Sequence, residues 1–144
     1  MKKMAVALLA LGGSAALASC TASAVPDTPS PRAQRDLAEA LAGRTEGPAQ
    51  RCISNYRSNN MQVIDDNTIL FQDGRTTYLQ KPRGGCPGLA NGSRTLVTRQ
   101  FGTSDLCDGD INKLVDLHAG IQGGACVFGP FVPYTKPKSQ AQRR

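Results

Sequence analysis

The spacing of apolar residues changes along this chain, from a helical period near its start to a strand period in the remainder. Residues 31–43 predict one amphipathic helix. Ser30 suits its N-cap, Pro31 its first turn and Gly43 a left-handed ending. The apolar positions of this helix are Ala33, Leu37, Ala40 and Leu41. The apolar face is small, so we expect the helix to dock on the domain rather than stand alone.

From residue 51 onward, short apolar stretches separated by turn residues predict β-strands. These stretches are residues 52–56, 61–64, 68–72, 75–79, 94–101, 111–117, 125–128 and 131–134. Asp73-Gly74 predicts a type I′ hairpin. Residues 111–117 also fit a helical turn, and Pro133 makes 131–134 a candidate edge strand. The pattern predicts a mainly β domain, a small antiparallel barrel or sandwich of about six strands with one N-terminal helix.

The first 19 residues have the pattern of an export signal: two lysines, an interrupted apolar run and small residues. Leu17-Ala18-Ser19-Cys20 then resembles the bacterial lipobox, in which the cysteine is acylated and the signal is cut before it. The resemblance implies membrane lipid as a partner through acylated Cys20. Thr21 replaces the Asp of many inner-membrane lipoproteins, which implies an outer-membrane anchor facing the periplasm. Ordinary signal cleavage after Ala18 or Ala24 is the alternative.

Composition divides the remaining chain into three parts. Residues 20–31 contain three prolines and predict a lipid-anchored, flexible tether; residues 32–134 form one domain; residues 135–144 predict a disordered basic tail. The formal charge of +6 comes from the two ends of the chain, because the residues between them carry eleven basic and eleven acidic side chains. The chain between the two ends therefore has no basic excess, and it has no tryptophan. We expect no nucleic-acid partner.

Four cysteines belong to the domain: Cys52, Cys86, Cys107 and Cys126. An even number of cysteines in an exported domain predicts two disulfides, and three connectivities are possible. We expect Cys52–Cys126, which would join the opening and closing strands, and Cys86–Cys107, which would tie two loops. A zinc site is the alternative, but the spacings contain no Cys-x-x-Cys pair. No metal and no cofactor is expected.

The cysteines and their flanking residues resemble a family of small exported bacterial proteins of unknown function. The resemblance covers residues 43–134 and implies a cysteine-containing exported domain without assigned catalytic residues. The residues that carry it are Arg51-Cys52-Ile53, Val63-Ile64-Asp65-Asp66, Cys86-Pro87-Gly88-Leu89, Leu106-Cys107-Asp108-Gly109-Asp110 and Gly124-Ala125-Cys126-Val127-Phe128-Gly129-Pro130-Phe131.

Two loops are candidate binding sites. Arg83 lies in a loop rich in Gly and Pro, residues 82–91, and Asp105, Asp108 and Asp110 form the densest acidic stretch. The acidic stretch could bind a cation or a partner, but it lacks the EF-hand pattern. The alternative is a turn whose Asp side chains bind their own backbone.

No catalytic residue is assigned. The single histidine, His118, would need a free cysteine for nucleophilic catalysis, and we expect the domain cysteines to be bonded. The sequence favours a non-enzymatic envelope lipoprotein, a binding or structural module whose partner is an unknown envelope protein or polymer. A protein inhibitor of an envelope-attacking lysozyme or protease, presenting loop 82–91, is one alternative. A small periplasmic hydrolase is another.

Overall fold

A computed structural model describes residues 28–54, 60–99 and 104–138. It confirms the prediction of a mainly β chain with antiparallel sheets, one helix and two disulfides. The elements are α1 Pro31–Leu41, β1 Thr45–Glu46, β2 Cys52–Ser54, β3 Asn60–Asp65, β4 Thr68–Asp73, β5 Thr76–Gln80, β6 Arg94–Thr98, β7 Asp105–Cys107, β8 Ile111–Asp116, β9 Gln122–Val127 and β10 Phe131–Thr135. The short strands β1 and β7 were not among the predicted stretches. The predicted export signal, Cys20 and most of the tether lie outside the described residues.

Helix α1 begins where the sequence predicts and ends two residues earlier. The Ser30 hydroxyl accepts a hydrogen bond from the amide of Ala33 at 3.1 Å, which caps the first turn. The helix ends at Leu41, and Gly43 has a φ of 67°, which favours glycine. Ala33 is buried, and α1 contacts β3, so the helix is docked on the domain as expected.

Five strands form the largest sheet, in the order β1-β10-β5-β4-β3. The predicted hairpin joins β4 to β5, but its turn lies one residue further along than expected. Asp73 pairs with Thr76, so the two-residue loop is Gly74-Arg75. Among the described residues only glycines have positive φ, and Gly74 is one of them at 54°. Gly74 has a positive φ and Arg75 does not, and this combination is typical of a type II′ turn rather than a type I′ turn.

Strand β10 was expected at a sheet edge because of Pro133, and this expectation is wrong. It lies between β5 and the two-residue strand β1, which forms the edge. Proline is tolerated because β1 pairs only with Thr135 and Tyr134, and the Pro133 carbonyl still accepts a hydrogen bond from Gly47 at 2.8 Å. Thr135, the first residue of the predicted tail, belongs to β10 instead, where it pairs with Thr76.

Two smaller sheets complete the domain, one of β2 and β7 and one in the order β6-β8-β9. Residues 111–116 form strand β8, so the alternative of a helical turn is not adopted. All three sheets contribute to one core, at whose centre Phe71, Phe128 and Phe131 meet edge to face with ring centroids 5.7 to 5.9 Å apart. Other core residues are Ile53, Ile69, Cys86, Leu89, Leu106, Leu114 and Cys126.

Both disulfides are present, but the expected connectivity is wrong. The bonds are Cys52–Cys107 and Cys86–Cys126. The expectation assumed that the first and last strands are neighbours, whereas β2 pairs with β7 and places Cys52 directly opposite Cys107. Cys126 is on β9, in a different sheet, where its buried side chain meets Cys86. Such bonds are typical of an oxidising, exported compartment. In residues 28–54, 60–99 and 104–138, no helix has the length and apolar character needed to cross a bilayer.

A tryptic digest without reduction tests the connectivity, because trypsin separates the four cysteines. They fall in peptides 52–57, 84–94, 100–113 and 114–138, with the last extended across Lys136-Pro137. We expect mass spectrometry to find 52–57 linked to 100–113, and 84–94 linked to 114–138. Linkage of 52–57 to 114–138 would instead support the pairing expected from the strand order.

Candidate functional site

The loop of residues 82–92 is held by one carboxylate, that of Asp66. Its Oδ1 accepts a hydrogen bond from the amide of Ala90 at 2.8 Å, and its Oδ2 accepts one from Gly88 at 3.1 Å. Its main-chain carbonyl accepts a third bond, from Cys86, at 2.6 Å. The neighbouring Asp65 serves its own turn, because its Oδ1 accepts a hydrogen bond from the amide of Asn67. Asp66 instead fixes a loop more than twenty residues away.

The middle of this loop is partly buried. Pro82, Gly85, Cys86 and Leu89 are buried, whereas Arg83 is exposed. The amide of Arg83 donates to the carbonyl of Val127 at 2.8 Å, which ties the loop to β9 as well. Two exposed parts of the loop, Arg83-Gly84 and Ala90-Asn91, are therefore accessible to a partner.

The structure brings two of the four predicted binding residues together. Arg83 Nη2 lies 2.5 Å from Asp108 Oδ1, so the exposed cation of one loop pairs with an anion of the other. Asp110 turns inward and accepts a hydrogen bond from the amide of Cys107 at 2.7 Å. Asp105 lies in β7, opposite Ser54.

The described part of the chain contains no group of three His, Cys, Asp or Glu side chains placed to hold a metal ion.

His118 lies at the tip of the β8–β9 hairpin and is exposed. The adjacent Asp116 carboxylate accepts hydrogen bonds from the amides of Ala119 and His118, each at 2.8 Å. These bonds stabilise the charged form and lower the pKa of Asp116. Asp116 thus stabilises the turn between β8 and β9. The four domain cysteines are all bonded in disulfides, so none of them can act as a nucleophile beside His118.

A shallow cleft of about 280 Å³ opens on the surface of the five-stranded sheet, and no local sequence pattern indicates it. The hydroxyl of Tyr134 donates to Glu46 Oε2 at 2.6 Å across the β1–β10 pair. This hydrogen bond to a carboxylate raises the pKa of Tyr134. The other residues around the cleft are Leu79, Lys81, Pro130 and Val132. The two polar partners are 88 residues apart in sequence, so only strand register unites them.

Four basic side chains converge at the end of the same sheet, around the β4–β5 turn. We call Arg44, Arg75, Lys136 and Lys138 the cation cluster. Arg75, Lys136 and Lys138 line a cleft of about 440 Å³, and Arg44 donates to the Arg75 carbonyl at 2.6 Å. The sequence indicated only the two lysines, as part of the tail. Both arginines come from the domain and reach this position through the fold.

No protein-family model, curated protein or solved structure matches this chain. The resemblance of residues 43–134 to a family of exported proteins stays a prediction.

Replacing Asp66 with alanine tests its role as the loop anchor. The variant removes the acceptor of the part-buried Gly88 bond and of the exposed Ala90 bond, where water can replace it. Because a hydrogen bond to a charged group contributes roughly 1.5–3 kcal/mol, we expect the free energy of unfolding in urea to fall by about 2 kcal/mol. Hydrogen exchange at both amides should become faster.

Asp108→Ala is the matched control, because it removes a carboxylate that pairs only at the surface. Its cost should not exceed about 1 kcal/mol. Equal losses for the two variants would contradict the anchoring role of Asp66.

The Tyr134–Glu46 pair predicts an alkaline dependence. A folded-state pKa above the usual 10.0 means that this contact stabilises the fold below pH 10 and loses its effect as pH rises through the folded pKa. Glu46→Gln removes the negative charge, so the pKa of Tyr134 should fall. Absorbance titration of the phenolate measures it, with Tyr134→Phe to assign the signal and Asp73→Asn as the control. An unchanged titration in Glu46→Gln would contradict the assignment.

Proposed function

We propose that this protein is a lipid-anchored envelope protein whose β domain is a non-enzymatic binding or structural module. The anchor is the acylated sulfur of Cys20, and the membrane is the outer membrane, with the domain in the periplasm. The observation that carries the proposal is the disulfide bonding of the four domain cysteines. All four in the domain are bonded in pairs, so the fifth, Cys20, has no partner among them, and it stands in the lipobox pattern.

The position of the fold along the chain also supports the anchor. Helix α1 begins at Pro31, eleven residues after Cys20. The proline-containing segment between them would reach about 30 Å if extended, enough to lift the domain from the bilayer. The core residues and both disulfides lie after this segment. The anchor can therefore act without constraining the domain.

The assignment as a binding or structural module follows from what the candidate residues do in the fold. Arg83 and Asp108 neutralise each other, Asp66 and Asp110 hold loops, and Asp116 accepts bonds from its own turn. Side chains that serve the backbone in this way are structural. The chemistry left exposed, in the cleft beside Tyr134 and in the cation cluster, suits recognition rather than bond cleavage.

The inhibitor hypothesis is the second candidate, because loop 82–92 is tied at several points and inhibitors present rigid loops. Its exposed residues include Arg83, Gly84, Ala90 and Asn91. The double variant Arg83→Ala/Asn91→Ala truncates the two longer exposed side chains, and unchanged lysozyme and protease resistance in cells carrying it would remove the inhibitor hypothesis.

The intact mass of the protein purified from bacterial membranes tests the main proposal. We expect a chain that starts at Cys20 and carries acyl groups, with no thiol alkylated before reduction. The control is Cys20→Ala, which should be absent from the acylated membrane fraction. A soluble wild-type chain starting at Ser19 or Val25 would refute the anchor.

A further inference from the structure

The cation cluster is held together by main-chain carbonyls. Arg44 Nη1 donates to the carbonyl of Arg75, and Arg75 Nη2 donates to the carbonyl of Lys136 at 2.5 Å. The amide of Lys136 in turn donates a hydrogen bond to the Arg75 carbonyl at 3.1 Å. Two guanidinium groups and the start of the C-terminal segment are thereby fixed side by side, although like charges repel.

No carboxylate of the described residues forms an ion pair with the cation cluster, and Asp73 at the end of β4 is the single acidic residue of the β4–β5 turn. The two ion pairs found there are Arg32–Asp36 and Arg83–Asp108, and both are elsewhere. The sequence after Asp116 contains no Asp or Glu, while Arg143 and Arg144 add further positive charge. Repulsion among the fixed cations would be relieved by an external anion.

The surface between the cations has mixed character. Thr45, Thr135 and Pro137 line the cleft together with the stems of Arg75 and Lys136. Long basic side chains offer apolar stems below charged heads. A phosphate group attached to an apolar molecule fits this surface better than a fully hydrated polyanion does.

The cluster and the start of the domain lie at opposite ends of the five-stranded sheet. Thr28 to Ser30 line a cleft with Asp65 to Asn67, at the β3–β4 turn, whereas the cluster surrounds the β4–β5 turn. Strand β4 separates the two turns by about 20 Å. A tether that reaches about 30 Å allows both ends of the sheet to meet one bilayer.

We propose that the cation cluster binds the phosphate groups of an anionic lipid bilayer and forms a second attachment of the domain to the membrane. The first attachment, the acyl chain of the proposed function, sits at the other end of the sheet. Two attachments at opposite ends hold the five-stranded sheet parallel to the plane of the bilayer. Lipid binding by the cluster does not require acylation, so the two proposals fail independently.

The test uses residues 20–144 with Cys20→Ser, which contain the whole described fold and both disulfides but cannot be acylated. We expect this chain to sediment with vesicles of phosphatidylcholine and phosphatidylglycerol but not with phosphatidylcholine alone. Lys136→Gln/Lys138→Gln should weaken the partition coefficient about 30-fold, because each basic residue near an anionic surface contributes about five-fold. Both lysines are exposed, so the fold should be unaffected.

Arg35→Gln/Arg51→Gln is the matched control, since it removes the same charge from exposed positions outside the cluster. Binding that drops equally in the control would overturn the proposal in favour of diffuse charge attraction. A tail variant, Arg143→Gln/Arg144→Gln, that alone abolishes binding would also overturn it. So would binding to purified cell-wall polymer without binding to anionic vesicles. Inorganic phosphate at millimolar concentration should not displace the vesicles, and displacement would indicate a site for free phosphate.

Discussion

Cys86 is attached to two sheets at once, and the packing of this small core depends on that double attachment. Its amide donates to the Asp66 carbonyl at a turn of the five-stranded sheet, and its sulfur is bonded to Cys126 in the β6-β8-β9 sheet. The disulfides span 40 and 55 residues, and closing loops of that length stabilises a fold by about 4 kcal/mol each in the chain-entropy account. That is a large share of the roughly 5–15 kcal/mol typical of a domain.

The same attachment buries the middle of the loop that contains Cys86. Loop 82–92 has the composition of a recognition loop, but its Gly and Pro residues serve to bring Cys86 and Leu89 into the core. Arg83, Gly84, Ala90 and Asn91 stay exposed on either side of these buried residues. Two further surfaces are formed by residues outside the core cluster: the cleft beside Tyr134 and the cation cluster at the end of the five-stranded sheet.

Features encoded within a few residues could be predicted, whereas those that depend on strand order could not. The Ser30 cap, the Gly43 ending and the β4–β5 hairpin are local, and each was predicted to within one or two residues. The disulfide partners follow from the pairing of β2 with β7, which no local pattern encodes. Arg83 and Asp108 were both predicted as loop residues, but their contact was not. The Tyr134–Glu46 pair and the position of Arg44 beside Arg75 likewise arise from register between distant segments.

Folding distributes the charged side chains of this domain unevenly over its surface. The domain carries eleven basic and ten acidic side chains, and several of its carboxylates are occupied within it. Asp65, Asp66, Asp110 and Asp116 accept bonds from main-chain amides, and Asp36 and Asp108 pair with arginines. Arg44 and Arg75, in contrast, donate to neutral carbonyls and keep their charge uncompensated. Because carbonyls orient a guanidinium without neutralising it, one end of the sheet stays cationic in a domain whose composition is balanced.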